Sequence, residues 1–172
     1  DEAEELERRL REEVKRVETD LRRTTRELER EVEEVRRRLE KTSRENNDRS
    51  EKAEREDSRD KRLEEELKRE SDRLEKEHRD LIKKLRDSLE KMRRDHKRLI
   101  DELRKRLEDL ERKIKDKEVV DRLREIITDL VRKLEENVKR LEEIIKRLEE
   151  ELKRNVDRLR ENSKRLAERL RT

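Results

Sequence analysis

The chain has 172 residues, 63% of them charged and 26% apolar, with 56 Lys plus Arg set against 53 Asp plus Glu for a net charge of +3. It contains no Gly, Pro, Cys, Trp, Tyr or Phe. That excludes disulfide and thiolate chemistry, offers nucleic acid neither a basic block nor an aromatic to stack on, and leaves no apolar run near the ~18 residues of a membrane span.

Such a composition suits either a disordered polyampholyte or a long helix, and periodicity decides between them. The first predicted helix covers about residues 2–55. Its apolar stripe runs Ala3, Leu6, Leu10, Val14, Val17 and returns eighteen residues later as Leu21, Thr24, Leu28, Val32, Val35. A third pass gives Leu39, Thr42, Asn46, Ser50, Ala53. Eighteen residues at 3.6 per turn are five whole turns, so the stripe keeps its azimuth on a straight helix and demands no supercoil. The polar stretch Ser43–Arg62 reads as helix to about Arg55, because the same ruler passes through it.

A phase break near Glu54–Ser58 separates the second predicted helix, about 58–115, with Asp57 or Ser58 as N-cap and Asp60 in its first turn. Its stripe is Leu63, Leu67, Ser71, Leu74, His78, then Leu81, Leu85, Leu89, Met92, His96, then Leu99, Leu103, Leu107, Leu110, Ile114. A second break near Lys115–Lys117 opens the third predicted helix, about 117–171, with Asp116 as N-cap and Glu118 at the positive helix end. Val120, Leu123, Ile127, Leu130 and Leu134 recur as Val138, Leu141, Ile145, Leu148 and Leu152, and again as Val156, Leu159, Ser163, Leu166 and Leu170. Ile82, Ile100, Ile126, Val131 and Ile144 flank these stripes, and either widen the core or supply a dimer seam. Short connections make sequential helices antiparallel neighbours. The expected fold is therefore all-α: an antiparallel up-down-up three-helix bundle of long straight helices, one domain over 1–172.

His78 and His96 are the only histidines, each followed at the same spacing by Leu, Ile and Leu. With the second connection centred between Asp116 and Lys117, His78 faces Asn155 and His96 faces Asn137, and one step nearer the turn the same layer is apolar at Ile114 and Val119. A His–Asn pair can close a hydrogen bond between helices, and an unpaired buried polar group costs about 1–3 kcal/mol. Fixing register is the best-attested use of polar groups in such cores. The same folding places Thr42 beside Ser71 and Asn162, Ser43 beside Ser163, and, more weakly, Thr24 or Thr25 beside Ser88.

A shared metal is excluded for the two imidazoles, which lie about 27 Å apart at 1.5 Å per residue. The ExxH pattern of di-iron bundles occurs only as Glu75 with His78. No catalytic residue, metal or cofactor is expected. Glu and Lys or Arg three and four residues apart read as solvated helix faces.

The stripes at 3-4-4-3-4 spacing, the missing aromatics and the charge-saturated surface together resemble de novo designed helical bundles. In particular they resemble parametrically generated, untwisted three-helix bundles with eighteen-residue layers. The resemblance covers Asp1 to Thr172 and implies buried hydrogen-bond networks at the His–Asn and Thr–Ser–Asn layers. It implies a structural scaffold with no natural biochemical function, not an enzyme, soluble, and made in a bacterial cytoplasm. The chain departs from such designs in having no Gly or Pro for its turns. No partner is expected, neither nucleic acid nor membrane. A monomer is expected, with a swapped homodimer as the alternative. Two other classes are a natural spectrin-like spacer or oligomerising rod, opposed by the missing Trp, and an apolipoprotein-like surface binder, opposed by the narrow stripe.

Overall fold

Without Gly or Pro, nothing in the chain breaks a helix, and its solvent positions hold strong helix formers such as Glu, Lys and Arg. In the computed structural model, which describes residues 2–56 and 61–171, helix α1 spans Glu2–Arg55, α2 Lys61–Lys113 and α3 Lys117–Arg171. Each opens with acidic residues in its first turn and closes with basic ones, from Glu2, Glu4 and Glu5 to Lys52 and Arg55 in α1. That order complements the helix dipole. Pairs one turn apart, such as Arg22–Glu18 at 2.6 Å and Arg38–Glu34 at 3.0 Å, line the exposed faces. Each stabilises its helix by only about 0.2–0.5 kcal/mol.

The first helix has its expected limits. The second ends at Lys113, two residues short of the expected 115, with the Ile114 N–H still donating to the Leu110 carbonyl at 2.9 Å. Asp116 caps the third, its Oδ1 accepting from the Glu118 N–H at 3.1 Å. The N-cap expected at Asp57 or Ser58, with Asp60 behind it and a helix start at 58, lies outside the described residues, as does the side chain of Ala3.

The chain divides into two compact units, each built from a segment of every helix. The first comprises Asp1–Glu29 and Asp87–Glu142. In it α1 and α2 run antiparallel: Glu13 pairs with Arg106, and further up α1 Thr24 meets His96, further down α2. Between α2 and α3, Arg93 pairs with Glu142 at 3.4 Å and Glu111 with Arg124 at 3.1 Å, again antiparallel. Between α1 and α3, Glu18 pairs with Lys133 and Glu29 with Arg140, so those two run parallel. Leu10, Leu21, Leu28, Leu103, Leu123 and Leu141 fill the interior.

The second unit comprises Arg30–Arg86 and Glu143–Thr172. Arg86 pairs with Glu149 at 2.6 Å and Glu75 with Arg160, antiparallel; Glu54 of α1 pairs with Arg165 of α3 at 3.6 Å. Its interior holds Leu39, Leu67, Leu74, Leu85, Leu159 and Leu166. Each fully buried leucine contributes about 1.5–3 kcal/mol, which makes these interiors the main favourable term.

The buried stripe follows the expected ruler along α3 from Val120 to Leu166. On the other two helices one position of the repeat moves by a residue in two of its passes. Thr25 and Ser43 are buried where Thr24 and Thr42 were expected, and Ile82 and Ile100 are buried where Leu81 and Leu99 were expected. Adjacent helical residues differ by only about 100°, so periodicity locates a face but not which of two edge residues turns inward.

Candidate functional site

The residues with chemistry beyond packing are the polar ones inside the units: Thr25 and His96 in the first, and Ser43, Asn46, Ser50, Ser71, His78 and Ser163 in the second. They are carried inward because the apolar spacing of each helix continues through them. Thr24, Thr42, Asn137, Asn155 and Asn162 are half-buried beside them.

His96 is buried on the inward face of α2, and its Nε2 lies 2.7 Å from Thr24 Oγ1. The Thr24 hydroxyl also donates to the Asp20 carbonyl at 2.9 Å, one turn back on its own helix. Thr25 donates to the Leu21 carbonyl at 2.7 Å. His78 is engaged locally, its Nδ1 lying 3.0 Å from the Leu74 carbonyl. Ser71 donates to the Lys68 carbonyl at 2.7 Å. Five buried polar atoms have no partner: Ser43 Oγ, Asn46 Nδ2, Ser50 Oγ, His78 Nε2 and His96 Nδ1.

The expected cross-helix bonds are therefore made differently. His96 bonds to Thr24, not to Asn137, and His78 bonds to its own helix, not to Asn155. No hydrogen bond joins Thr42, Ser71 and Asn162 among the described residues, Ser71 having turned to its own backbone. For His96 the physical cause is the register between α1 and α2. The pairing expected of Thr24 with Ser88 is displaced to His96, about two helical turns along α2. A signal for the Thr–His pairing was present in the sequence: threonines at 24 and 42 repeat at the interval that separates the two histidines.

Burial holds the His96 imidazole below its ordinary value of 6.5, with the carboxylates of Asp20 and Asp95 acting in the opposite sense. On the exposed face of α2 the Arg73–Glu77 pair behaves as a simple ion pair. The hydrogen bond from Arg73 lowers the Glu77 carboxyl and, reciprocally, raises the guanidinium.

In the second unit a groove of about 530 Å³ runs between α2 and α3 over Ile82, Leu152 and Val156. Of its rim charges Arg86 pairs with Glu149, and Glu75 with both Arg79 and Arg160, while Lys83, Lys153 and Asp157 also line it. Among the described residues no group of three or more His, Cys, Asp or Glu could hold a metal ion. Among the same residues no helix is long and apolar enough to cross a membrane.

No protein-family model matches the chain, and no curated protein matches it. Among solved structures it is similar to a computationally designed three-helix bundle, with a TM-score of 0.51 and 22% identity over 99% of this chain and 85% of that one. The likeness shows the fold: an all-helical, up-down-up three-helix bundle.

Proposed function

We propose that this protein is a designed structural scaffold: a straight, untwisted three-helix bundle that holds its own geometry, binds no ligand of its own, performs no catalysis and exists as a monomer. One observation carries the reading. Among the described residues no large hydrophobic side chain is exposed, so the apolar faces are consumed within the units and little greasy surface is left for a partner. The outer surface is a lattice of opposite charges that contributes helix support rather than a binding field.

Three further features support it. The structural neighbour is itself a designed three-helix bundle. Buried positions recur at five-turn intervals, as Leu10 with Leu28 and Val120 with Val138 in the first unit, and Leu67 with Leu85 and Leu148 with Leu166 in the second, the spacing that a straight packing requires. The polar positions His78, His96, Thr42, Ser71, Asn137, Asn155 and Asn162 then serve to select register among otherwise similar leucine layers, with the Thr24–His96 contact as the cross-helix bond that a slip would break.

Sedimentation equilibrium with circular dichroism tests the reading. The expected result is a helical chain with the mass of one copy across micromolar concentrations. A mass that rises with concentration replaces the scaffold with an oligomerising rod.

A further inference from the structure

The two units share their registers. Arg93–Glu142 in the first recurs as Glu75–Arg160 in the second, eighteen residues along each helix with the charges exchanged. Glu29–Arg140 recurs as Glu54–Arg165, twenty-five residues along both helices. With α2–α3 and α1–α3 set alike in both units, α1–α2 is set alike too. The position matching the Thr24–His96 contact is then Thr42 opposite His78. The neighbours repeat in step: Thr25 becomes Ser43, and Asn137 becomes Asn155.

We propose that each unit carries one copy of a hydrogen-bonded layer spanning all three helices: Thr24, Thr25, His96 and Asn137 in the first, and Thr42, Ser43, His78 and Asn155 in the second. It rests on the scaffold reading only in taking the imidazoles as structural groups, and it names the members that fix register. The two buried atoms without partners at the level of the second layer, Ser43 Oγ and His78 Nε2, are members of that copy. In the closed layer the His78 ring leaves the Leu74 carbonyl and its Nε2 pairs with Thr42, the counterpart of the His96–Thr24 contact.

The proton count fixes the tautomer. A threonine hydroxyl has one proton, and that of Thr24 goes to the Asp20 carbonyl. Thr24 Oγ1 therefore accepts from His96, which carries its proton on Nε2. The unprotonated Nδ1, buried and without a partner, is then an acceptor for the Asn137 amide. In the back-bonded arrangement, by contrast, a carbonyl can only accept, so His78 must carry its proton on Nδ1. The closed layer and the back-bonded ring thus differ in which nitrogen is protonated.

Nitrogen-15 spectra of histidine-labelled protein at pH 8 separate the two. With Thr42 donating one turn back on its own helix as Thr24 does, both histidines are expected in the Nε2–H form. Thr42→Val is expected to convert His78 alone to the Nδ1–H form and Thr24→Val to disturb His96 alone, each with unchanged helicity and sedimentation. His78 in the Nδ1–H form in the parent protein, or a His78 signal indifferent to Thr42→Val, overturns the proposal. Either result leaves the scaffold reading in place, because that reading fails only through loss of fold or monomeric mass. Should Thr42→Val not fold, the parent spectrum alone still decides.

Discussion

A buried neutral imidazole has two nitrogens and one proton, so a core that encloses it must supply both a donor and an acceptor or leave one nitrogen unpaired. His96 shows the consequence. Its Nε2 meets Thr24, its Nδ1 has no partner, and burial depresses its affinity for a second proton. The folded group is thus the weaker base and the unfolded one keeps its ordinary value of 6.5. Its contribution to stability is fully present above that ordinary value. It declines as the unfolded chain takes up protons, and is lost as the pH falls through the depressed folded value. The melting temperature should fall between pH 8 and pH 5, and His96→Leu should remove part of that fall. Equal falls in the two proteins would show that the imidazole is not held neutral. The inward position of both histidines was legible from spacing alone. Their partners were not, because partner choice depends on helix register, and without Gly or Pro the phase break near Glu54–Ser58 marks the turn between α1 and α2 only to within several residues.

At the scale of the element, the start of α3 was legible because a cap marked it. Asp116 is followed at once by Lys117, the first residue of α3, and its carboxylate accepts from the Glu118 N–H as the N-cap pattern requires. Replacing it by Ala should cost about 1 kcal/mol, and by Asn much less, since Asn caps nearly as well. The check is urea denaturation, with a lowered midpoint and an unchanged slope; an unmoved midpoint means that α3 begins without help from its cap. Ser43 to Arg55 is the contrasting case. Local propensity there is poor, with Ser, Asn and Asp throughout, yet α1 runs on to Arg55. Ser43, Asn46, Ser50 and Ala53 continue its inward face, so tertiary burial overrides propensity, which is the weaker of the two influences.

For the whole molecule the two units are unequal in what they enclose. The first buries Thr25 and His96 among leucines, and both have a hydrogen bond. The second buries Ser43, Asn46, Ser50, Ser71, His78 and Ser163, and leaves Ser43 Oγ, Asn46 Nδ2, Ser50 Oγ and His78 Nε2 without a partner, against His96 Nδ1 in the first; Asn46 and Ser50 are not members of the proposed layer, so its closing leaves them unpaired. Each such atom costs about 1–3 kcal/mol of desolvation that opening to water returns. Four of the small polar side chains also stand where an eighteen-residue repeat elsewhere places an aliphatic residue: Asn46 matches Leu10 and Leu28, Ser50 matches Val14 and Val32, Ser71 matches Leu89 and Leu107, and Ser163 matches Ile127 and Ile145. The second unit therefore gains less from burial and loses more to unmet hydrogen bonds. Its helices should open first, since local openings are drawn from the segments with the fewest favourable buried contacts. Native-state hydrogen exchange should show the amides of residues 43–55 and 63–78 exchanging faster than those of 10–28 and 96–110. Replacing Asn46 by Leu should narrow the gap, and protection equal in the two sets, or greater in the first, would mean that the unpaired atoms are satisfied by water at little cost.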